Sequence, residues 1–380
     1  MKYNIAYCIE GFYNHGGMER ILSVCANLLS DIYSITIIVA NQRGREHAYN
    51  LAQNVNVVDL GVSCKNYKEE YKKSLTRYLQ DHQFSVVISL AGLELFFLPQ
   101  IKDGSKKVMW FHFAFDVSKM FLSERFHGWK LNLLYYIHTI RRIYFAKKFD
   151  TIVVLSKSDC ESWSRFCNNV KYIYNPITID RKVISNVSEK SVIAVGRLGW
   201  QKGFDFLIDS WVLVDDKHPD WHLNIFGEGP DRLELQHQID RKGLHDKVRL
   251  CGVTKQIEEE YGKHSIYVMS SRAEGFPLAL LEASSCGLPM ISFNCHQGPN
   301  EIIQEGENGF LVDKVGDIYT LSDCICKLIE DNNLRNMMGK KALDSSFRFE
   351  GEVIKKDWIS LLNQLIKKHE IQRMSRLYKK

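Results

Sequence analysis

Short, nearly unbroken apolar runs alternate along this chain with longer stretches whose apolar residues recur every three or four positions. NIAYCI (4–9), YSITIIVA (33–40), FSVVISL (84–90), KVMWFHF (107–113) and TIVVLS (151–156) are runs of the first kind. Such runs predict parallel strands buried on both faces. Between the first two, GGMERILSVCANLLSD (16–31) spaces Ile21, Leu22, Cys25, Leu28 and Leu29 as one helical face. The pattern breaks at PITIDRKVISNVSEK (176–190), which is polar and turn-rich, and then restarts with SVIAVG, HLNIFG, KVRLCG, SIYVMS, MISF and GFLV. Two successive strand–helix series predict an α/β protein of two doubly wound, Rossmann-like parallel sheets facing a central cleft. The expected domains are 1–178 and 179–351. The last segment, 352–380, is expected as a helix packed back on the first domain through Trp358, Leu361, Leu362, Leu365 and Ile366.

Composition narrows the class. At 380 residues the chain exceeds one ordinary core, and 45% hydrophobic with 25% charged residues is the make-up of a globular protein. A net charge of +5 suits anionic ligands or an anionic membrane surface, and is far from that of a dedicated nucleic-acid binder. No apolar run approaches the roughly 18 residues of a membrane span, and the N-terminal run, broken by Glu10, does not read as a secretory signal. Ten cysteines without a CxxC pair fit reduced thiols in a cytoplasmic protein.

Five segments carry candidate chemistry. In RAEGFPLALLEASSCGLPMISF (272–293), Pro277 suits the first turn of a helix, Gly287 its C-terminal end, and Pro289 a stop. Glu274 then lies in the loop before that helix and Glu282 inside it, while the N–H groups of Gly275, Phe276 and Leu278 are free to face an anion. A carboxylate there suits sugar hydroxyls better than phosphate. A solvent-facing Glu274 and a helix-surface Glu282 are the plain alternative. In AVGRLGWQKGFDF, Gly196 and Arg197 turn the chain after a strand and Lys202 precedes a helix. Two cations at a strand's C-terminal end fit a diphosphate, Arg by its fork and Lys as a point charge; solvated loop cations are the alternative. IFGEGPDRLELQ has Gly227 and Gly229 but Arg232 where a dinucleotide fingerprint needs its third glycine, so a tight turn is the better reading. EGFYNHGGMER places Gly16 and Gly17 between strand and helix, open to close backbone approach, with His15 beside them. VMWFHFAFDV puts His112 after a strand, where a packed histidine is the ordinary expectation.

Together and in this order, these segments resemble family 4 of the retaining glycosyltransferases, which have the GT-B fold. EGFPLALLE is similar to the family's E-x7-E motif, GRLGWQKG to its diphosphate-binding Arg and Lys, GGMER to its N-terminal glycine loop and WFHF, roughly, to its N-domain histidine. The resemblance covers nearly the whole chain. GLPMISFNCHQGPNEIIQEGENGFLV further resembles bacterial surface-glycan transferases that use UDP-sugars, although Asn294 stands where that subgroup often has Asp.

The resemblance implies that Glu274 accepts hydrogen bonds from the donor sugar and that Glu282 holds the ribose. It implies that Arg197 and Lys202 stabilise the leaving diphosphate, aided by Gly196 and by the backbone of Gly275, Phe276, Pro277 and Leu278. Gly16 and Gly17 would face the diphosphate, and His112 the sugar near the reacting carbon. The implied reaction is metal-independent, retaining transfer of a hexose or N-acetylhexosamine from a nucleoside-diphosphate sugar, most simply UDP-linked. No cofactor is implied; the resemblance makes 1–178 the acceptor-binding and 179–351 the nucleotide-sugar-binding domain, and the acceptor a glycan or lipid-diphosphate-linked glycan of bacterial surface polysaccharide. Residues 117–149 mix aromatics with Lys119, Arg125, Lys130, Arg141, Arg142, Lys147 and Lys148, a composition that fits either a peripheral contact with the inner face of the plasma membrane or ordinary amphipathic helices. An epimerase or phosphorylase of the same fold, an NAD-dependent dehydrogenase and a non-catalytic scaffold are the competing classes; no nucleic-acid partner is expected.

Overall fold

The computed structural model describes residues 2–377 except 64, 124, 125 and 296, and for 372–377 the backbone alone. The chain forms two units, Met1–Pro176 with Gly351–Lys380, and Ile177–Glu350. Each is built on one parallel sheet.

In the first unit the order along the chain is β1 (Asn4–Ile9), α1 (Gly17–Leu29), β2 (Ser34–Val39), β3 (Val55–Asp59), α2 (Tyr67–Asp81), β4 (Val86–Ser89), β5 (Lys106–Trp110), α3 (Val117–Ser123), α4 (Gly128–Ala146), β6 (Thr151–Val154), α5 (Lys157–Ser164) and β7 (Val170–Tyr172). The seven strands lie in the order β3-β2-β1-β4-β5-β6-β7. The chain therefore reverses its direction of strand addition at β1, whose neighbours are β2 and β4. The crevice beyond β1 and β4 is the place where such sheets bind ligands. Two edge strands escape the hydrophobic pattern. In β3 only Val55 is buried, and β7 is three residues with two of them exposed, so neither reads as an apolar run. The run 107–113 also overshoots: β5 ends at Trp110, where its register with β6 stops, leaving Phe111–Phe113 beyond the strand.

The second unit runs β8 (Ser191–Val195), α6 (Phe204–Lys217), β9 (His222–Phe226), α7 (Arg232–Arg241), β10 (Val248–Gly252), α8 (Ile257–Gly262), β11 (Ile266–Met269), α9 (Leu278–Ser285), β12 (Met290–Phe293), α10 (Pro299–Ile302), β13 (Gly309–Val312), α11 (Ile318–Glu330) and α12 (Asn332–Ser346). Its six strands are ordered β10-β9-β8-β11-β12-β13, with the switch between β8 and β11. Both sheets and their helices make an α/β protein of two Rossmann-like domains. The last helix, α13 (Gly351–Leu377), belongs to the first unit and packs on α1, β4 and β5. Its apolar face is buried, and Trp358 meets Trp110 edge-on with ring centroids 4.9 Å apart.

Candidate functional site

In the second unit two loops at the C-terminal ends of β8 and β11, the switch-point neighbours, are fastened together. The β8 loop runs through Gly196 and a short 3-10 turn, Trp200–Lys202, to Gly203. Gly203 has φ +62°, and an added Cβ would collide with the Ser270 carbonyl oxygen, so only glycine lets the loops come this close. The Arg272 N–H donates to the Gln201 carbonyl at 2.7 Å, and the Gln201 side chain returns a bond to the Ala273 carbonyl at 2.8 Å. Arg272 also forks onto Asp205 at 2.7 and 2.6 Å, with its guanidinium over the Phe206 ring. A bidentate pair of this kind fixes geometry as well as contributing energy.

Glu274 and Lys202 meet at this seam. Lys202 Nζ lies 2.6 Å from Glu274 Oε1, which also accepts from Ser271 Oγ at 2.6 Å. Glu274 is only 7% exposed, so the solvent-facing alternative does not hold. Gly196 lies against the Lys202 stem, with a Cβ there meeting its methylenes at 3.1–3.2 Å. Arg197 is exposed and has no ion-pair partner among the described residues. One cation is thus held by a carboxylate, and a second, in the same loop, is exposed without an ion pair among the described residues.

Gly275 and Pro277 form the turn into α9, with Pro277 extended as the residue before the helix rather than its first turn. Phe276 turns inward and meets Phe349 edge-on at 5.7 Å. Leu278 opens the helix and Gly287, at φ +74°, follows it. Gly298, at φ +104°, backs onto the turn; a Cβ there would meet Pro277 Cδ at 2.9 Å and the Gly275 carbonyl at 3.0 Å.

Glu282 is 3% exposed inside α9. It accepts from Thr178 Oγ1 and, at 3.2 Å, from the Tyr261 hydroxyl. The phenol of the buried Tyr267 is pushed well up, first by burial and then by the charges of Glu274 and Glu282. Its hydroxyl has no hydrogen-bond partner among the described residues. The Cys295 thiol is likewise pushed up by burial and then by Glu274, with Lys202 acting in the opposite sense.

Gly227 and Gly229 face protein rather than open space. A Cβ on either would collide with the carbonyl of Gly196 or of Leu198. The Leu198 N–H donates to the Glu228 carbonyl at 3.0 Å, and the Asp231 N–H to the Leu198 carbonyl at 3.1 Å. These glycines let the β9 turn hold the Arg197 loop.

The first unit holds the remaining candidates. Gly16 caps α1 without a side-chain bond and is half-buried, and Gly17 is exposed. The carboxylate of Glu19 folds back over Gly16, in the space a Cβ would take. Burial pushes that carboxyl up, while its own backbone N–H and the Asn14 side chain act the other way. A carboxylate therefore stands where the sequence suggested backbone open to a diphosphate. His15 is exposed, edge-on to Tyr49. The ring of His112 is 4.3 Å from that of Trp110, and its Nε2 is covered and unpartnered. Burial lowers its pKa to about 3, so the imidazole is neutral at physiological pH.

The basic segment needs one correction. Arg142 is buried, donating to the Phe115 carbonyl and, at 3.2 Å, to Ser118 Oγ, and burial lowers it to about 10. It fastens α4 to the β5 loop and is no surface cation. Arg125 lies outside the described residues. Along α4, Trp129, Leu133, Tyr136, Ile137, Ile140 and Tyr144 form an apolar stripe, 50–70% exposed. Among the described residues no helix is long and apolar enough to cross a membrane, and no group of three or more His, Cys, Asp or Glu is placed to hold a metal ion.

Residues 177–344 match the family model for glycosyl transferases, group 1. An uncharacterised glycosyltransferase of Haemophilus influenzae is 27% identical over 94% of this chain and 99% of its own length. The amylovoran biosynthesis glycosyltransferase AmsD of Erwinia amylovora is 26% identical over 95% of this chain and 100% of its own. Among solved structures, Anabaena HepE in complex with UDP superposes with a TM-score of 0.76 at 18% identity, over 96% of this chain and 100% of that one. The fold is GT-B. The chain carries a group 1 domain and has glycosyltransferase homologues that include one of polysaccharide biosynthesis, and these matches indicate a transferase.

Within the group 1 domain, Asp205, Arg272, Thr178 and Tyr261 escaped the sequence reading. Arg272 could have been suspected from its place two residues before Glu274. Thr178 could not, since 104 residues separate it from Glu282.

Proposed function

We propose that this protein is a retaining, family 4 glycosyltransferase. It moves a hexose or N-acetylhexosamine from a nucleoside-diphosphate sugar, UDP-linked, onto a glycan or lipid-linked glycan of bacterial surface polysaccharide. The observation that carries the reading is the seam where Lys202 grips Glu274 and Arg197 stands unpaired. A cation held on a buried carboxylate, with a second, exposed cation in the same loop, suits a ligand that is a diphosphate at one end and a sugar at the other. UDP in HepE and the AmsD homologue support the same direction.

In this reading Arg197 and Lys202 take the charge that develops as the sugar C1–O bond breaks, with the backbone at Gly196 and Gly275–Leu278 beside them. Stabilising a leaving group in this way is usually the largest catalytic contribution. Glu274, held by Lys202 and Ser271, accepts from sugar hydroxyls, and Glu282, fixed by Tyr261 and Thr178, accepts from the ribose. The acceptor oxygen bonds to C1 on the leaving-group face, and its proton passes to the departing phosphate. The neutral His112 serves as a hydrogen-bonding group toward the sugar. Gly16 and Gly17 take part at the diphosphate once Glu19 is protonated or displaced. The two cations do the work a metal would otherwise do, and no cofactor is required.

The α4 stripe, with Lys130, Arg141, Lys147 and Lys148 on the same segment, rests on anionic headgroups at the inner face of the plasma membrane. Calorimetry with UDP, GDP and ADP in EDTA, followed by NMR of the anomeric product, tests the reading. UDP binding without metal and a product of the donor's configuration are expected; an inverted product would overturn retention. Sedimentation with anionic and neutral vesicles tests the membrane contact, which equal or absent binding would remove.

A further inference from the structure

Lys202 closes a 3-10 turn of only three residues, Trp200–Lys202, with the left-handed Gly203 behind it. Within the turn, the Lys202 N–H donates to the Gly199 carbonyl at 2.9 Å and the Gly203 N–H to the Trp200 carbonyl at 3.2 Å. Short 3-10 turns have poorer hydrogen-bond geometry than an α-helix. Lysine itself is a point charge on a flexible stem, with no fork to aim it. The place of the ammonium is therefore set from outside the turn, by the β11 loop. Arg272 reaches across from that loop. Its N–H donates to the Gln201 carbonyl at 2.7 Å and its Nη1 to the Trp200 carbonyl at 2.7 Å, both just before Lys202. Its fork grips Asp205, just after Lys202. The guanidinium also lies over the rings of Trp200 and Phe206, 5.0 and 4.0 Å from their centroids. Ser270 Oγ adds a bond to the Lys202 carbonyl at 3.1 Å. Arg272 thus holds the chain on both sides of Lys202, and two residues further along its own chain stands Glu274.

We infer that Arg272 is a positioning residue: it sets Lys202 against Glu274, and through that pair the place offered to a diphosphate. The effect on a nucleotide rests on the proposed donor site, whereas the positioning of the pair does not. The ordinary alternative is a surface ion pair, since Asp205 is 41% exposed and such pairs add little to stability. The geometry argues for more. The grip is bidentate, which fixes direction as well as distance. Nη1 serves both Asp205 and the Trp200 carbonyl, so the ion pair and the turn move together. A lysine at this place would keep the charge and lose the fork.

The test uses the full chain as wild type, Arg272→Lys and Asp205→Asn, the last breaking the same fork from its more exposed end. In each background Lys202→Met, Glu274→Gln and the two combined form a double-mutant cycle, read from chemical-denaturation midpoints without any ligand. The coupling between Lys202 and Glu274 should fall by about half or more once the fork is lost. UDP is then titrated by calorimetry, and uridine, which carries no phosphate, is followed by saturation-transfer NMR. Arg272→Lys should raise the UDP Kd about tenfold and leave uridine binding unchanged. Combined with Lys202→Met it should add little, because both changes act through one ammonium. Unchanged coupling in both backgrounds would overturn the inference, as would equal losses for UDP and uridine, or UDP losses that simply add. Lost coupling in a protein that binds no UDP would uphold the positioning and sink the donor reading. UDP binding with the coupling intact would do the reverse.

Discussion

Each sheet places glycines between a strand and the following helix, and the two sets are held differently. In the first unit the space beside Gly16 is taken by the Glu19 carboxylate, the end of a flexible side chain. In the second, the spaces beside Gly203, Gly227 and Gly229 are taken by the carbonyls of Ser270, Gly196 and Leu198. The charges differ in the same way. The second unit's Glu274 has Lys202 at 2.6 Å, while Glu10, Glu19 and Glu94 share a cavity lined by no cation. Glycine between strand and helix therefore marks two things: backbone packed on backbone around a paired charge, and a turn shaped by side chains that can move. A rigid, cationic pocket suits a diphosphate. An adjustable, acidic one repels an anion until its carboxylate is protonated or moves aside.

The largest effect that would break this comparison is Gly227→Ala. The φ of +141° is strained for any other residue, and the added methyl meets the Gly196 carbonyl, which cannot swing aside. Strain and overpacking together are expected to cost about 3–5 kcal/mol, read as a fall in the chemical-denaturation midpoint. A cost below about 1 kcal/mol would mean that the β9 turn yields, and the rigid half of the contrast would fail.

Lys202→Ala comes next. It removes a cation from the proposed leaving-group pocket and strips Glu274 of its ion pair. Transfer from the UDP-sugar should fall about 100–1000-fold, equivalent to roughly 3–4 kcal/mol, mostly in kcat. Unchanged kcat with a raised KM would assign Lys202 to ground-state binding alone.

How much of this contrast is legible in the sequence follows from the range of each interaction. Local signals served well. Apolar runs mark most strands, and Pro277, Gly287 and Pro289 bracket the helix that carries Glu282. The loop position of Glu274 follows from the same stretch. What stayed illegible is tertiary. The clamp of Arg272 on Asp205 spans 67 residues, and the Thr178 bond to Glu282 spans 104. Arg142 reads as one more surface cation until its guanidinium is found among Phe111, Phe115 and Trp163. Edge strands β3 and β7 lack the two-sided burial that makes an apolar run. Glu94, between apolar Leu93 and Leu95, carries no sign of burial in its spacing.

The acidic side of the comparison is sharpened by pH. Burial, reinforced by Glu10, raises the Glu94 carboxyl from 4.5 to about 7, against hydrogen bonds from its own backbone, Ser89 and Gly92 that pull it down. Between those values the folded chain holds a proton that the unfolded chain releases. This contribution to stability is fully present below pH 4.5 and is lost as pH rises through 7. At 1.36 kcal/mol per unit it amounts to at most about 3 kcal/mol. Denaturant midpoints at pH 5 and 8 should therefore differ more in wild type than in Glu94→Gln, with the variant the more stable of the two at pH 8. Parallel pH profiles would show that Glu94 stays ionised throughout, and that the cavity holds its charge by other means.

The smallest expected effect is the one that tests the movable half of the contrast. Gly16 has φ −87°, an ordinary extended conformation, so an alanine there carries no backbone strain. Its methyl meets only the Glu19 carboxylate, and the side-chain torsions of Glu19 can carry that group away. Displacing it would forfeit its hydrogen bonds at the start of α1, but would also release a carboxyl that burial penalises. The two changes oppose each other, and Gly16→Ala should shift stability by less than about 0.5 kcal/mol, the ordinary range for substitutions away from packed features. Hydrogen exchange at Gly17–Arg20 should nevertheless speed up, because the carboxylate that covers the helix start has moved. A loss comparable with that of Gly227→Ala would show that Glu19 is locked in place. The first unit's turn would then be as rigid as the second's, and its acidic cavity would be a fixed feature to which a ligand must conform.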